Sequence, residues 1–245
     1  MFKQAITKYL LSKNHECINL KAVLFDMDGV LFDSMPAHAE AWYQAMKNRG
    51  MQLSREEAYM YEGRTGASTI NIVFNRELNR DATPHEIESI YREKTEEFNK
   101  QPQAKPMEGA YELLKELKNK NITPVIVTGS GQTSLLERLE ENFPGIFKKE
   151  LMVTAFDVKH GKPDPEPYLM GLEKAGLHPN EAIVVENAPL GVQSAVNAGI
   201  FTVAVNTGPL PDKVLLDAGA DILLPSVTAL RQAWPELEKK LSSGL

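Results

Sequence analysis

The 245-residue chain has one cysteine, Cys17, so neither an internal disulfide nor a multi-cysteine metal site can form. It has no apolar run long enough to span a bilayer. Its first residues, Met1-Phe2-Lys3-Gln4-Ala5-Ile6, lack the apolar core and small-residue cleavage site of a signal peptide. Basic charge is also in short supply: 27 Lys and Arg against 33 Asp and Glu give a net charge of -6. That balance provides no basic field for a phosphate backbone, although a local basic site for a small phosphate remains open. No repeat or low-complexity segment occurs. A cytoplasmic location is expected, since a lone cysteine suits a reducing compartment. No nucleic-acid or membrane partner is expected, and with no association motif a monomer is expected.

What is present is 42% hydrophobic and 24% charged sequence, enough to bury a substantial core. Short continuous apolar runs occur at 21–25, 124–127, 151–153, 182–185, 201–205 and 222–224. Such runs read as strands buried on both faces of a parallel sheet. Helical patterns lie between them at 110–118, 133–141, 166–175 and 191–198. The alternation predicts an α/β fold, a parallel sheet with helices on both faces. Residues 36–103 break it: 38–48 reads as helix, and further helix follows from Arg55, Ser68 and Pro84. A helical cap inserted after the first strand is the simplest account. The expected division is a helical extension at 1–20, a core at 21–35 and 104–245, and a cap at 36–103. Phe2, Ile6, Tyr9 and Leu10, at helical spacing, mark a packing helix in the extension. Hinges are expected at Ser34-Met35-Pro36 and near Pro102.

Chemistry-bearing residues gather at expected strand ends, where open α/β sheets place ligands. Asp26-Met27-Asp28-Gly29 follows the first strand, and one of its carboxylates can attack an electrophile while the other moves protons or binds metal. Val127-Thr128-Gly129-Ser130-Gly131 leaves backbone N–H groups open where a helix start favours an anion. Gly161-Lys162-Pro163-Asp164 offers a cation before a helix. Val185-Glu186-Asn187-Ala188 ends another strand with two oxygen-bearing side chains. Taken singly each has an ordinary reading: a turn at the aspartates, helix caps at Thr128 and Asn187, a surface lysine at Lys162.

In this order the four segments resemble the haloacid dehalogenase-like phosphotransferase superfamily, in its β-phosphoglucomutase-like branch with a helical cap. The similarity runs from Lys21 to about Leu230. It implies a Rossmann-like core and Mg²⁺-dependent phosphoryl transfer on a small phosphorylated substrate. Asp26 would be the nucleophile that becomes an aspartyl-phosphate. Asp28 would be the general acid/base and would offer its backbone carbonyl to the metal. Thr128, with Gly129 and Ser130, and Lys162 would hold the transferring group, and Glu186 and Asn187 would serve the metal together with the two aspartates. The charges suit these roles, since a carboxylate attacking a phosphate needs cations to offset their repulsion.

Two departures bear on substrate. Many relatives have Glu-Asp-Ser where this chain has Glu186-Asn187-Ala188, which removes a negative charge from the metal site. In the cap, Tyr61-Glu62-Gly63-Arg64-Thr65-Gly66 aligns with the specificity loop of the mutases, where a basic residue contacts the sugar phosphate near the position of Glu62. An acid there repels a second phosphate, and on cap closure Glu62 would restore the charge lost at Asn187 by binding the metal. The alternative for Glu62 is a solvated loop carboxylate. The chain therefore looks like the inorganic pyrophosphatases of this branch, with a β-phosphoglucomutase or sugar-phosphate phosphatase as the alternative and an inactive phosphate-binding module as a distant third. Arg64 would either clamp substrate or pair with Glu62. His38 would either assist proton transfer and cap closure or pack on a helix face.

Overall fold

The computed structural model describes residues 2–131 and 135–243. Its centre is β1 (Ala22–Phe25), whose alternate side chains serve two layers. Val23 and Phe25 enter one apolar cluster, while Ala22 and Leu24 enter another on the opposite face. With β2 (Thr123–Val127), β3 (Met152–Val153), β4 (Ala182–Glu186), β5 (Phe201–Val205) and β6 (Ile222–Leu224) it forms one parallel sheet, in the order β3-β2-β1-β4-β5-β6. This is the Rossmann-like α/β core expected from the alternation. Phe25 lies level with Ile126 on one side and Val185 on the other. The residues that follow these three strands therefore emerge side by side.

Helices cover both faces. α1 (Phe2–Lys13), α6 (Ala110–Asn119), α7 (Leu135–Asn142) and α11 (Val227–Leu241) pack on the first cluster, and α8 (Glu166–Ala175) and α9 (Pro189–Asn197) on the second. Phe2, Ile6, Tyr9 and Leu10 of α1 are buried as their spacing requires, and Tyr9 Oη donates to the Gly199 carbonyl at 2.8 Å. The expected strand at 151–153 loses Leu151 to a 3-10 turn, and Glu186 extends β4 by one residue. Helix was expected from Thr133, which lies outside the described residues. Two helices escaped the sequence reading, α10 (Asp212–Asp217) and α11, the latter with Pro235 in its interior.

The insertion after β1 is helical throughout, which completes the expected cap. α2 (Met35–Lys47) starts with a proline in its first turn, where the missing N–H costs no bond. α3 (Arg55–Met60) and α5 (Pro84–Asn99) open with capping boxes built by Ser54 with Glu57 and by Thr83 with Glu86. α4 (Gly66–Leu78) is capped by Thr65. Met46, Leu53, Ile70, Val73, Phe74 and Ile90 give the cap a core of its own. The two connections run side by side: Asp33 N–H donates to Lys105 O at 2.9 Å and Met107 N–H to Leu31 O at 2.8 Å. Of the expected hinge Ser34-Met35-Pro36, Met35 and Pro36 form the first turn of α2 and Met35 is buried.

Candidate active site

Asp26 leaves β1 with its N–H on the Val185 carbonyl at 3.1 Å, and its side chain is buried beside the ends of β2 and β4. Lys162 reaches this point from the loop after β3. Its ammonium uses all three donors: Asp26 Oδ1 at 2.5 Å, Glu186 Oε1 at 2.7 Å and the Val127 carbonyl at 3.0 Å. Burial disfavours the ammonium, yet the Asp26 and Glu186 charges outweigh it and hold Lys162 above the ordinary lysine value. A lysine that reads as surface in sequence is thus 2% exposed at the centre of the site.

Glu186 is satisfied on both oxygens. Oε1 accepts from Lys162 and from Tyr168 Oη at 2.8 Å, and Oε2 accepts the N–H groups of Asn187 and Ala188 at 2.9 and 3.1 Å. Gly191 makes this possible, since a Cβ there would lie 1.7 Å from Glu186 Oε1. Glu186, expected beside the metal, is spent on holding Lys162. Asn187 is different. Its Nδ2 donates to both oxygens of Glu62, at 3.0 and 3.1 Å, while its buried Oδ1 has no hydrogen-bond partner among the described residues. Gly29 clears the space for it: its φ is +78°, and a Cβ there would lie 2.1 Å from Asn187 Nδ2.

Glu62 therefore sits inside the core site and is not a solvated loop carboxylate. Burial first, then the charges of Asp26 and Glu186, push it well above the usual glutamate value against the pull of Asn187. Asp26 is raised for the same reasons, to about 8: burial dominates, Lys162 opposes, and Glu186 and Asp28 add to the rise. Four carboxylates, Asp26 and Glu186 buried and Asp28 and Glu62 partly so, thus converge with the Lys162 ammonium among them. That excess, with the orphaned Asn187 Oδ1, fits a hard divalent cation with oxygen ligands. Asp26, Asp28, Glu62 and Asn187 are the groups placed to hold it.

Asp28 accepts from Ser34 Oγ at 2.5 Å, and His38 Nε2 lies 3.4 Å from its Oδ1. Burial would raise Asp28, but the His38 charge and the hydrogen bonds from His38 and Ser34 prevail and hold it well below the usual range. His38 stacks on Phe98 with centroids 4.3 Å apart, and its Nδ1 lies 2.8 Å from Lys94 Nζ. Burial and then Lys94 lower the His38 value. Burial takes Lys94 itself to about 8, partly opposed by Asp28. Its ammonium lies 5.1–5.9 Å from the ring centres of Phe98, Trp42 and Tyr91. The sequence reading missed Lys94. Its place four residues after Ile90 on the buried face of α5 was the one hint, too weak to read without the neighbouring helix. It also missed Tyr168.

Thr128 is buried at the end of β2, and the Ser130 N–H donates to Thr128 Oγ1 at 3.0 Å. The helix start expected to favour an anion falls at 132–134, outside the described residues. Arg64 does not pair with Glu62: its Nη1 donates to Ser68 Oγ at 3.2 Å, and its Nε is buried without a partner among the described residues. Asp26, Asp28, His38, Glu62, Arg64 and Thr128 help to line a cavity of about 80 Å³ between cap and core. His160, Asp164 and Glu166 also cluster, but Glu166 already accepts from Lys159 N–H and His160 N–H, and Asp164 from Glu166 N–H. Those hydrogen bonds tie the loop before α8 together.

The haloacid dehalogenase-like hydrolase family profile matches residues 23–205. A structure titled putative beta-phosphoglucomutase from Bacteroides vulgatus is 63% identical, with a TM-score of 0.96 over 98% of each chain. Hexitol phosphatase A of Escherichia coli (strain K12) is 34% identical over 76% of this chain and 83% of its own. Pyrophosphatase PpaX of Oceanobacillus iheyensis is more distant, 29% identical over 77% of this chain and 84% of its own. With the buried aspartate pair, Lys162 and the helical cap in place, this chain belongs to the haloacid dehalogenase-like hydrolase family.

Proposed function

We propose a Mg²⁺-dependent phosphohydrolase acting through an aspartyl-phosphate on Asp26, with inorganic pyrophosphate as the substrate the geometry supports best. The observation that carries this reading is the Glu62–Asn187 contact, which brings a cap acid into the core site over a cavity of about 80 Å³. Small-molecule sites for organic ligands typically offer about 300–1,000 Å³. A compact, highly charged substrate suits the smaller space, and the Glu62 carboxylate leaves little room for a sugar beside it.

In this mechanism Asp26 Oδ attacks one phosphorus, and the bond from that phosphorus to the bridging oxygen breaks. Phosphate leaves with the electron pair and takes a proton that Asp28 relays from the Lys94–His38 pair. Asp28 then removes a proton from water, which attacks the aspartyl-phosphate and frees the second phosphate and Asp26. Ser34 and His38 hold Asp28 in place, and the Lys94–His38 pair supplies the proton path to it. Lys162, oriented by Glu186 and Tyr168, offsets charge beside the transferring group. Thr128 with the Gly129 and Ser130 backbone, and Arg64 from the cap, bind its oxygens. Asp26, the Asp28 carbonyl, Asn187 and Glu62 would hold the cation, which would supply charge neutralisation for attack by an anion on an anion.

The test is phosphate release from pyrophosphate, hexose phosphates and nucleotides with and without Mg²⁺. Preference for pyrophosphate, lost selectively in Glu62→Ala, is the expected result. The second reading, a sugar-phosphate phosphatase or β-phosphoglucomutase, is favoured by the relatives' names. Conversion of β-glucose 1-phosphate to glucose 6-phosphate with catalytic bisphosphate, or faster hydrolysis of a hexose phosphate than of pyrophosphate, establishes it instead.

A further inference from the structure

Three glycines on three separate core loops face the cap, and none of them lies in the left-handed backbone region. A left-handed turn therefore does not account for them. What lies opposite does. A Cβ on Gly129 would come 2.9 Å from the Gly63 carbonyl, one on Gly161 3.0 Å from Thr65 Cγ2, and one on Gly208 3.2 Å from the Tyr59 ring. Gly129 follows β2, Gly161 lies between β3 and α8, and Gly208 follows β5. Opposite them, Tyr59, Gly63 and Thr65 flank Glu62 on the cap. Gly63 has a φ of +87°, and a Cβ there would lie 2.9 Å from Lys162 Cδ.

We propose that Gly129, Gly161 and Gly208 are specificity-determining residues, a seam bare of side chains that lets the cap descend until Glu62 meets Asn187. The inference rests on the pyrophosphate reading and deepens it, because full descent is what confines turnover to substrates that the small cavity encloses. A methyl group anywhere on the seam holds the cap a fraction of an ångström higher. Substrates that need the complete enclosure suffer, and larger phosphate esters, processed with the cap ajar, do not. Misplacements on this scale cost a large factor when they fall on the reacting groups.

The discriminating variant is Gly161→Ala, because Gly161 itself binds no reacting group, although it precedes Lys162, and its opposing atom is removable. Thr65 Oγ1 caps α4 by accepting the Ser68 N–H at 3.3 Å, so Thr65→Ser keeps that oxygen and deletes only the methyl facing Gly161. Gly161→Ala is expected to lower kcat/KM for pyrophosphate by about 10-fold or more and to leave p-nitrophenyl phosphate within about 2-fold. Adding Thr65→Ser restores pyrophosphate turnover. Equal loss on both substrates, or no recovery in the double variant, overturns the seam and marks a disturbance of the Lys162 loop instead. Amide hydrogen exchange at 61–66 with Mg²⁺ and vanadate gives a readout independent of turnover. Wild type and the double variant are expected to gain protection there and Gly161→Ala to gain less; equal protection in all three overturns the proposal. If wild type ignores pyrophosphate, the substrate reading fails, and the exchange result alone decides the seam.

Discussion

An ammonium placed among Trp42, Tyr91 and Phe98 weakens the folded state, since burial penalises the charge and holds Lys94 near 8. Lys94→Met keeps the volume and removes the charge. It should raise stability at pH 7 by about 1–3 kcal/mol while lowering kcat by about 10²-fold, if the Lys94–His38 pair feeds protons to Asp28. The sign of the pH effect follows from the direction of the shift. The native state releases this proton near 8 and the unfolded chain near 10.5, so wild type gains stability across that interval. The advantage of Lys94→Met should therefore shrink between pH 8 and 10.5, as thermal melts at a series of pH values will report. Asp26→Asn should abolish both turnover and acid-trapped phosphoenzyme with the fold intact. Asp26 and Asp28 were legible in sequence because they follow a strand. Lys94 was not, because a lysine on a helix reads as solvated until the neighbouring helix is known.

Among the elements, α1 looked like an appendage and is part of the core layer. Ile6 is 2% and Leu10 0% exposed, and Tyr9 packs edge-on against Phe201 with centroids 5.3 Å apart. Ile6→Ala should cost about 2–5 kcal/mol, and Tyr9→Phe about 1 kcal/mol for its lost hydrogen bond, both with kcat unchanged; chemical denaturation measures these directly. The strands were readable because residues buried on both faces form unbroken apolar runs. α11 was not read, because Pro235 interrupts its pattern even though Val227, Leu230, Trp234, Leu237 and Leu241 keep helical spacing. The register of the sheet is what brings Asp26, Thr128 and Glu186 together. No local pattern encodes that register.

At the scale of the whole molecule, two bodies meet at a cluster of like charge. The Asp26 charge raises the proton affinity of Glu62 across the interface, so closure and cation binding depend on one another. Mg²⁺ should raise the melting temperature, by about 2.7 kcal/mol of stability at a hundredfold excess over its Kd, and Glu62→Gln should reduce that gain. Chelation should stop turnover without unfolding the chain; activity that survives it defeats the metal role. The sequence placed Glu62 on a cap loop and left its environment open, because the distance between two bodies is set by how closely their backbones approach. The docking of α1 carries a different consequence, for the order of synthesis. α1 lies against β5 and α11, which are synthesised long after it. Its apolar stripe must therefore wait, exposed or chaperoned, while the intervening chain is made, and this layer is sealed only once α11 has emerged.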